Sequence, residues 1–342
     1  MNKKYVLNFA EQLLSMDSPT GYTKHAIDFV RAEAEKLGFE TEKNQKGNLL
    51  IHIKGKSSDK TIGFCAHCDT LGLMVRSIQA DGTLAVTKLG GPIMPTLDGE
   101  YCRIITRENK VYTGTILSKS PAVHVYPDAS SRKRDADEMF VRIDEVVKNK
   151  ADVEALGICN GDFIAIDPKV QITESGFIKS RFLDDKISVS ALIGVLQHLT
   201  ENEITPEYDL IFMMSTYEEV GHGMAHIPSC ITELIAVDMG CIGLDLACTE
   251  QDVSICAKDS SGPYDYDMTT NLIHLAKQNK LNYAVDIYPM YGSDVSAALK
   301  GGNNIRGALI GPGVHASHGM ERTHYDGVEN TMKLILAYIS QK

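Results

Sequence analysis

Several apolar stretches of this chain run directly into side chains that can hold a metal ion or move a proton. Thr61 to Ala66 (TIGFCA) leads into His67-Cys68-Asp69, Leu210 to Tyr217 (LIFMMSTY) into Glu218-Glu219, and Leu234 to Val237 (LIAV) into Asp238. Ile305 to Gly311 (IRGALIG) leads towards His315, His318 and His324, and Asp184-Asp185 opens an apolar helical pattern beginning at Lys186. In an open α/β sheet, reactive groups collect just beyond the carboxyl ends of the strands, which is where these residues fall.

Each group has a bland explanation. Aspartates at a helix start cap free N–H groups and suit the helix dipole, which would account for Asp184-Asp185. A lone histidine at a strand end is more often hydrogen-bonded structure than a ligand, but Asp69, two residues after His67, offers the carboxylate to which a ligating imidazole passes its other N–H. Glu218-Glu219 resists a structural reading. Two adjacent carboxylates after an apolar strand repel each other and lose hydration unless a cation or water lies between them.

Counting ligands allows two metal sites that share one carboxylate. Asp184, Glu219 and a histidine such as His318 serve one; His67, Asp238 and the second oxygen of Asp184 serve the other. Three protein ligands and an open position mark a catalytic rather than a structural site. His315 and His324 remain rivals of His318 at this level. His222 and His226 have i, i+4 spacing but lack the glutamate that follows the first histidine in helical zinc sites, so a lid or structural role is expected. Cys65 and Cys68 form a CxxC with no second pair to complete a zinc site. Gly90-Gly91-Pro92 and Gly301-Gly302 read as turns.

The elements that must position these groups follow an α/β pattern. Tyr5, Phe9, Leu13 and Leu14 share one helical face, and Ile27, Val30, Ala34 and Leu37 another, after a break at Asp17-Ser18-Pro19-Thr20-Gly21. Strands are expected at 39–42, 49–53 and 61–66. From Leu73 to about Thr173 the chain turns to short apolar runs punctuated by Gly, Pro and Asp, a β-rich module in which only Val141 to Lys150 reads as helix. Helices are then expected at 186–199, near 271–278, from Asp294 and at 327–339, with strands at 210–215, 234–237, 283–287 and 305–310. The chain thus divides into an α/β domain of residues 1–72 and 174–342 and an inserted module of residues 73–173.

A length of 342 residues exceeds the size at which one core usually stops growing. A net charge of −11 argues against nucleic acid, and the one basic cluster, Arg132-Lys133-Arg134, is short and flanked by acids. No apolar run is long enough to span a bilayer, and Met1-Asn2-Lys3-Lys4 leads into an amphipathic pattern rather than a signal core. The eight cysteines show no disulfide-framework spacing. A cytoplasmic location is expected.

The stretches AHCDTLGLMV (66–75), ESGFIKSRFLDDK (174–186), STYEEVGHGMA (215–225), AVDMG (236–240) and SHGMERTHYDGVENT (317–331) resemble, in order and spacing, the glutamyl or tetrahedral aminopeptidase family of dinuclear metallopeptidases. The resemblance implies a zinc-exopeptidase-like α/β domain, a mixed sheet flanked by helices, interrupted by a small β-barrel or PDZ-like module. That module serves dimerisation and larger assembly, up to a dodecamer. It implies His67, Asp184, Glu219, Asp238 and His318 as ligands of two divalent ions (zinc, cobalt or manganese), Glu218 as general base and Asp69 as the acid that orients the site. It also implies a cis Asp184-Asp185 peptide, and short peptides as substrates cut after their first residue. Two departures stand out: Thr70 follows Asp69 where family members commonly carry Glu, and His318 lies in Ala316-Ser317-His318-Gly319 rather than Arg-Tyr-x-His-Ser. Competing readings are an aminoacylase, deacetylase or carboxypeptidase built on the same ligands, a glycosidase using the paired carboxylates, and a non-catalytic scaffold braced by metal.

Overall fold

The computed structural model describes residues 1–341. Its main element is a ten-stranded mixed sheet. Four parallel strands form the centre, in the order Tyr208–Ser215, Ser57–His67, Ile231–Val237 and Arg306–Val314. Leu49–Ile53 adds antiparallel on one side and Val253–Asp259 antiparallel on the other.

The strands are buried on both faces, so their sequences are nearly continuous in apolar residues. Successive side chains enter opposite layers of core. Phe64, Ala66, Phe212, Met214, Ile235 and Val237 face a layer packed by the helices Lys3–Leu14, Lys24–Lys36, Leu183–Glu201, Tyr266–Gln278 and Tyr325–Ile339. Cys65, Ile211, Met213, Leu234 and Ala236 face the other layer, which includes Val295 and Ala298 of the helix Asp294–Lys300. Leu183–Glu201 is buried almost all round, in keeping with apolar or small residues on every face.

Strand register sets the site. Ser215 pairs with His67, and Ala236 pairs with Cys65, so Asp238 comes level with His67 two residues on. Gly311 lets the neighbouring strand approach this point: a Cβ there would lie 1.8 Å from the Asp238 carbonyl oxygen.

The second body is a closed six-stranded barrel of Gly72–Ile78, Leu84–Leu89, Tyr101–Ile105, Val111–Ser118, Met139–Ile143 and Phe163–Ile166. Leu73, Val75, Leu84, Val86, Ile104, Ile116, Val141 and Ile164 fill its interior. The expected helix at 141–150 is incorrect. Val141 and Ile143 point inward and pair with Ile116 and Gly114, a period of two, and the helix is the short turn Lys150–Ala155 beyond them. Val253–Asp259, not anticipated, is a strand paired on both sides.

Candidate active site

The four strand ends and the start of Leu183–Glu201 converge. His67 Nε2 is 3.0 Å from Asp184 Oδ1, and His318 Nε2 is 3.5 Å from Asp184 Oδ2 and 3.8 Å from Glu219 Oε2. His67, Asp184 and Asp238 each offer a ligand atom within 4.8 Å of one another, as do Asp184, Glu219 and His318. One carboxylate therefore faces both groups with different oxygens. The Asp184-Asp185 peptide is cis.

Each imidazole is held by its other nitrogen. His67 Nδ1 lies 2.8 Å from the Asp69 carbonyl oxygen, with the Asp69 carboxylate further off at 3.7 Å, and His318 Nδ1 lies 2.9 Å from the Gly91 carbonyl oxygen. Donation from Nδ1 turns both Nε2 atoms into the cluster, where each donates to Asp184 when protonated and is a free lone pair for a cation when not. Gly90-Gly91-Pro92, read from sequence only as a turn, supplies one of these anchors.

Glu218 and Glu219 sit in a short 3₁₀ turn after Tyr208–Ser215. Asp69, fully buried, takes their backbone N–H groups: Glu218 N donates to Oδ1 at 3.1 Å and Glu219 N to Oδ2 at 3.3 Å. Glu218 Oε2 is 3.9 Å from His67 Nε2. Glu321, which sequence reasoning left without a role, is buried and accepts from His318 N at 2.9 Å and Asp184 N at 3.0 Å. The one signal for it is its position three residues after His318.

The rival histidines lie elsewhere. His315 is exposed and bridges backbone to backbone with Arg322. His324 uses both ring nitrogens structurally, on the Ser175 carbonyl and the Asp326 N–H. His222 stacks on Tyr217 at 5.0 Å and His226 is exposed. Cys65 and Cys68 pack into different core layers, and burial raises both thiols, Cys68 to about 12. Neither supplies a thiolate.

Crowded acids shape the electrostatics. Burial, then neighbouring carboxylates, pushes Asp238 up to about 7 and Glu321 up to about 8, and raises Glu218, Glu219 and Asp185 well above the usual carboxylate range. Burial also acts to raise Asp184, but hydrogen bonds from His318 and His67 outweigh it and hold Asp184 low. Burial would lower His318; its bond to Asp184 prevails and lifts it to about 10. Glu219 Oε1 and Asp185 Oδ1 are buried with no hydrogen-bond partner. This arrangement is suited to cations: without them, acids must hold protons or repel.

The folded metal-free protein thus binds more protons than the unfolded chain between about pH 4, where unfolded carboxyls titrate, and about pH 8. His318 extends the same sign upward from its unfolded value to about 10. Stability from these groups is full below about pH 4 and is lost as pH rises through their folded values. Thermal melting in chelator is expected to give a lower Tm contribution at pH 8 than at pH 5, and added zinc a larger Tm gain at pH 8, because metal replaces protons. Equal gains at both pH values would contradict this.

A cleft of about 290 Å³ opens on the cluster, lined by Asp184, Glu218, Glu219, Asp238 and His318 together with Ser260, Tyr291 and Lys300 among others. The larger groove at 37–42 and 199–211 lies at the other ends of the strands.

Fold and site together place the chain among the metal-dependent exopeptidases. The fold is that of solved tetrahedral aminopeptidases: TET1 of Pyrococcus horikoshii superposes with a TM-score of 0.86 at 21% identity, covering 98% of this chain and 100% of that one. The TET aminopeptidase from a marine-sediment Thaumarchaeota archaeon gives 0.88 at 18% identity, covering 98% and 97%. The M42 glutamyl aminopeptidase family model matches residues 47–334, and the chain belongs to that family of peptide-bond hydrolases. YhfE of Bacillus subtilis (strain 168) is 44% identical over 334 residues, 97% of this chain and 96% of its own length. The glutamyl aminopeptidase of Lactococcus lactis subsp. cremoris (strain MG1363) is 28% identical over 217 residues, 61% of this chain and 58% of its own.

Proposed function

We propose that this protein removes N-terminal residues from short peptides, using two divalent ions held by His67, Asp184, Glu219, Asp238 and His318, with Glu218 as general base. The observation that carries this reading is the pair of imidazoles, each fixed through Nδ1 on a backbone carbonyl and presenting Nε2 to opposite oxygens of one buried aspartate. The unpartnered Glu219 Oε1 fits the same cations.

When bound, the ions would polarise the scissile carbonyl and acidify the attacking water. The chain's own residues do the rest. Glu218, beside His67 and facing the cleft, takes the water proton and returns it to the departing amine. Asp69 aims Glu218 and Glu219 through their N–H groups, and Glu321 holds the backbone of Asp184 and His318. Zinc suits the mixed nitrogen and oxygen donors, as do cobalt and manganese.

The barrel strands between 73 and 173 would serve dimerisation and assembly of a homo-oligomer, the relation suggested by the dodecamer of the TET1 homologue. Residues 1–72 and 174–342 would form the catalytic domain. All eight cysteines are free, which suits a reducing cytoplasm. No described helix is long and apolar enough to cross a membrane.

The test is hydrolysis of aminoacyl chromogenic substrates and their N-acetylated counterparts by protein stripped of metal and reloaded with zinc, cobalt or manganese. Release from free-amine substrates alone, lost in chelator, is the expected result. Cleavage of the acetylated set instead would make the protein a deacylase.

A further inference from the structure

We infer that Thr20 is a positioning residue for the peptidase reaction, fixing through Asp69 the backbone turn that carries Glu218 and Glu219. The inference rests on the reading of Glu218 as general base. Thr20 lies outside the cleft, on the loop between the first two helices, 49 residues before Asp69 in sequence. Its buried hydroxyl donates to Asp69 Oδ2 at 2.7 Å; the alternative acceptor, the Thr70 carbonyl, is more distant at 3.3 Å.

Asp69 is fully buried, so the donors around its carboxylate fix its orientation. Two of them are the N–H groups of Glu218 and Glu219, and Thr20 is the third. A carboxylate bonded to N–H groups at the start of a 3₁₀ turn sets the direction of that turn, and so of the side chains it projects. Without the Thr20 hydroxyl, Asp69 Oδ2 would keep only the longer bond from Glu219 N.

Thr20 is itself held in place. Thr20 N donates to the Thr70 carbonyl at 3.0 Å, Thr70 N to the Ser18 carbonyl at 2.9 Å, and Ser18 Oγ to the Cys68 carbonyl at 2.8 Å. Lys186 Nζ donates to the Met16 carbonyl at 2.6 Å, and Arg103 of the barrel grips both Asp17 oxygens at 2.6 Å. The loop is therefore anchored to the first strand end, to the helix behind Asp184-Asp185 and to the barrel. A hydroxyl at its centre is a fixed donor rather than a mobile one.

The experiment compares Thr20→Val, which keeps the shape and removes the donor, with Thr20→Ser, which keeps the donor. Two readouts are taken on the full-length protein: kcat and KM at saturating zinc, and hydrogen–deuterium exchange of the segment 216–222. For Thr20→Val, kcat is expected to fall about 10- to 100-fold with KM within about twofold, the range for partners that orient a metal ligand. Exchange at the Glu218 and Glu219 amides should rise at least about tenfold, and Thr20→Ser should restore both readouts. Wild-type exchange and kcat in Thr20→Val, or a Thr20→Ser protein as impaired as Thr20→Val, overturns the inference. Full turnover in Glu218→Gln would instead remove the base assignment, and the exchange measurement would still decide the role of Thr20.

Discussion

Glu218→Gln is expected to lower kcat by about 100- to 10,000-fold, the span general acid–base groups contribute, while the protein still binds both ions. The amide is close in shape to the carboxylate but cannot take a proton from water. Glu218 is well placed to act as that base. It lines the cleft, its carboxyl lies 3.9 Å from His67 Nε2, and burial raises its pKa well above an ordinary glutamate. Its backbone, not its carboxylate, is tied to Asp69, so the substitution leaves that anchor in place. Steady-state kinetics beside metal analysis separates the outcomes. Near-normal turnover with metal bound would exclude Glu218 as base, and loss of metal together with activity would make it a ligand.

Asp184→Ala is expected to release both ions together, lowering affinity by more than about 100-fold, since even partners one step removed from a metal commonly cost 10- to 100-fold. The reason is the sharing seen in the geometry: Oδ1 faces His67 and Oδ2 faces His318. Asp238→Ala, by contrast, should remove one ion only, because Asp238 groups with His67 and Asp184 but not with His318. Metal analysis of the two variants after gel filtration gives the answer. One ion retained tightly by Asp184→Ala would show that the sites are independent.

The parts of the site that sequence reveals are those set by strand ends. His67, Glu218-Glu219 and Asp238 each follow an apolar run buried on both faces of the sheet, and the register of parallel strands brings such ends together. The choice among histidines was beyond ligand counting; it needed the loop after Arg306–Val314, where His318 is held by Gly91 and Glu321 and His324 caps the last helix. Thr20 and Gly91 gave no local signal, because their roles arise from contacts across 49 and 227 residues.

In the fold, the long buried helix, expected over 186–199 and found as Leu183–Glu201, and the β-rich character of the barrel were legible from their apolar patterns. Val253–Asp259 has no such pattern, because polar Ser254 interrupts its short apolar run; that hydroxyl is buried against Tyr288, a partner visible only in three dimensions. Val141 to Lys150 misled for the opposite reason. Its spaced apolar residues suit either period, and pairing with Val111–Ser118 makes its first part, up to Ile143, a strand.

The most direct test of the two-metal reading is to titrate the metal-free protein with cobalt, following bound metal and the hydrolysis of a free-amine aminoacyl substrate in the same samples. Two ions per chain, with full activity reached only as the second site fills, is the expected result. Saturation at a single ion with full activity, or hydrolysis that persists in chelator, would contradict it.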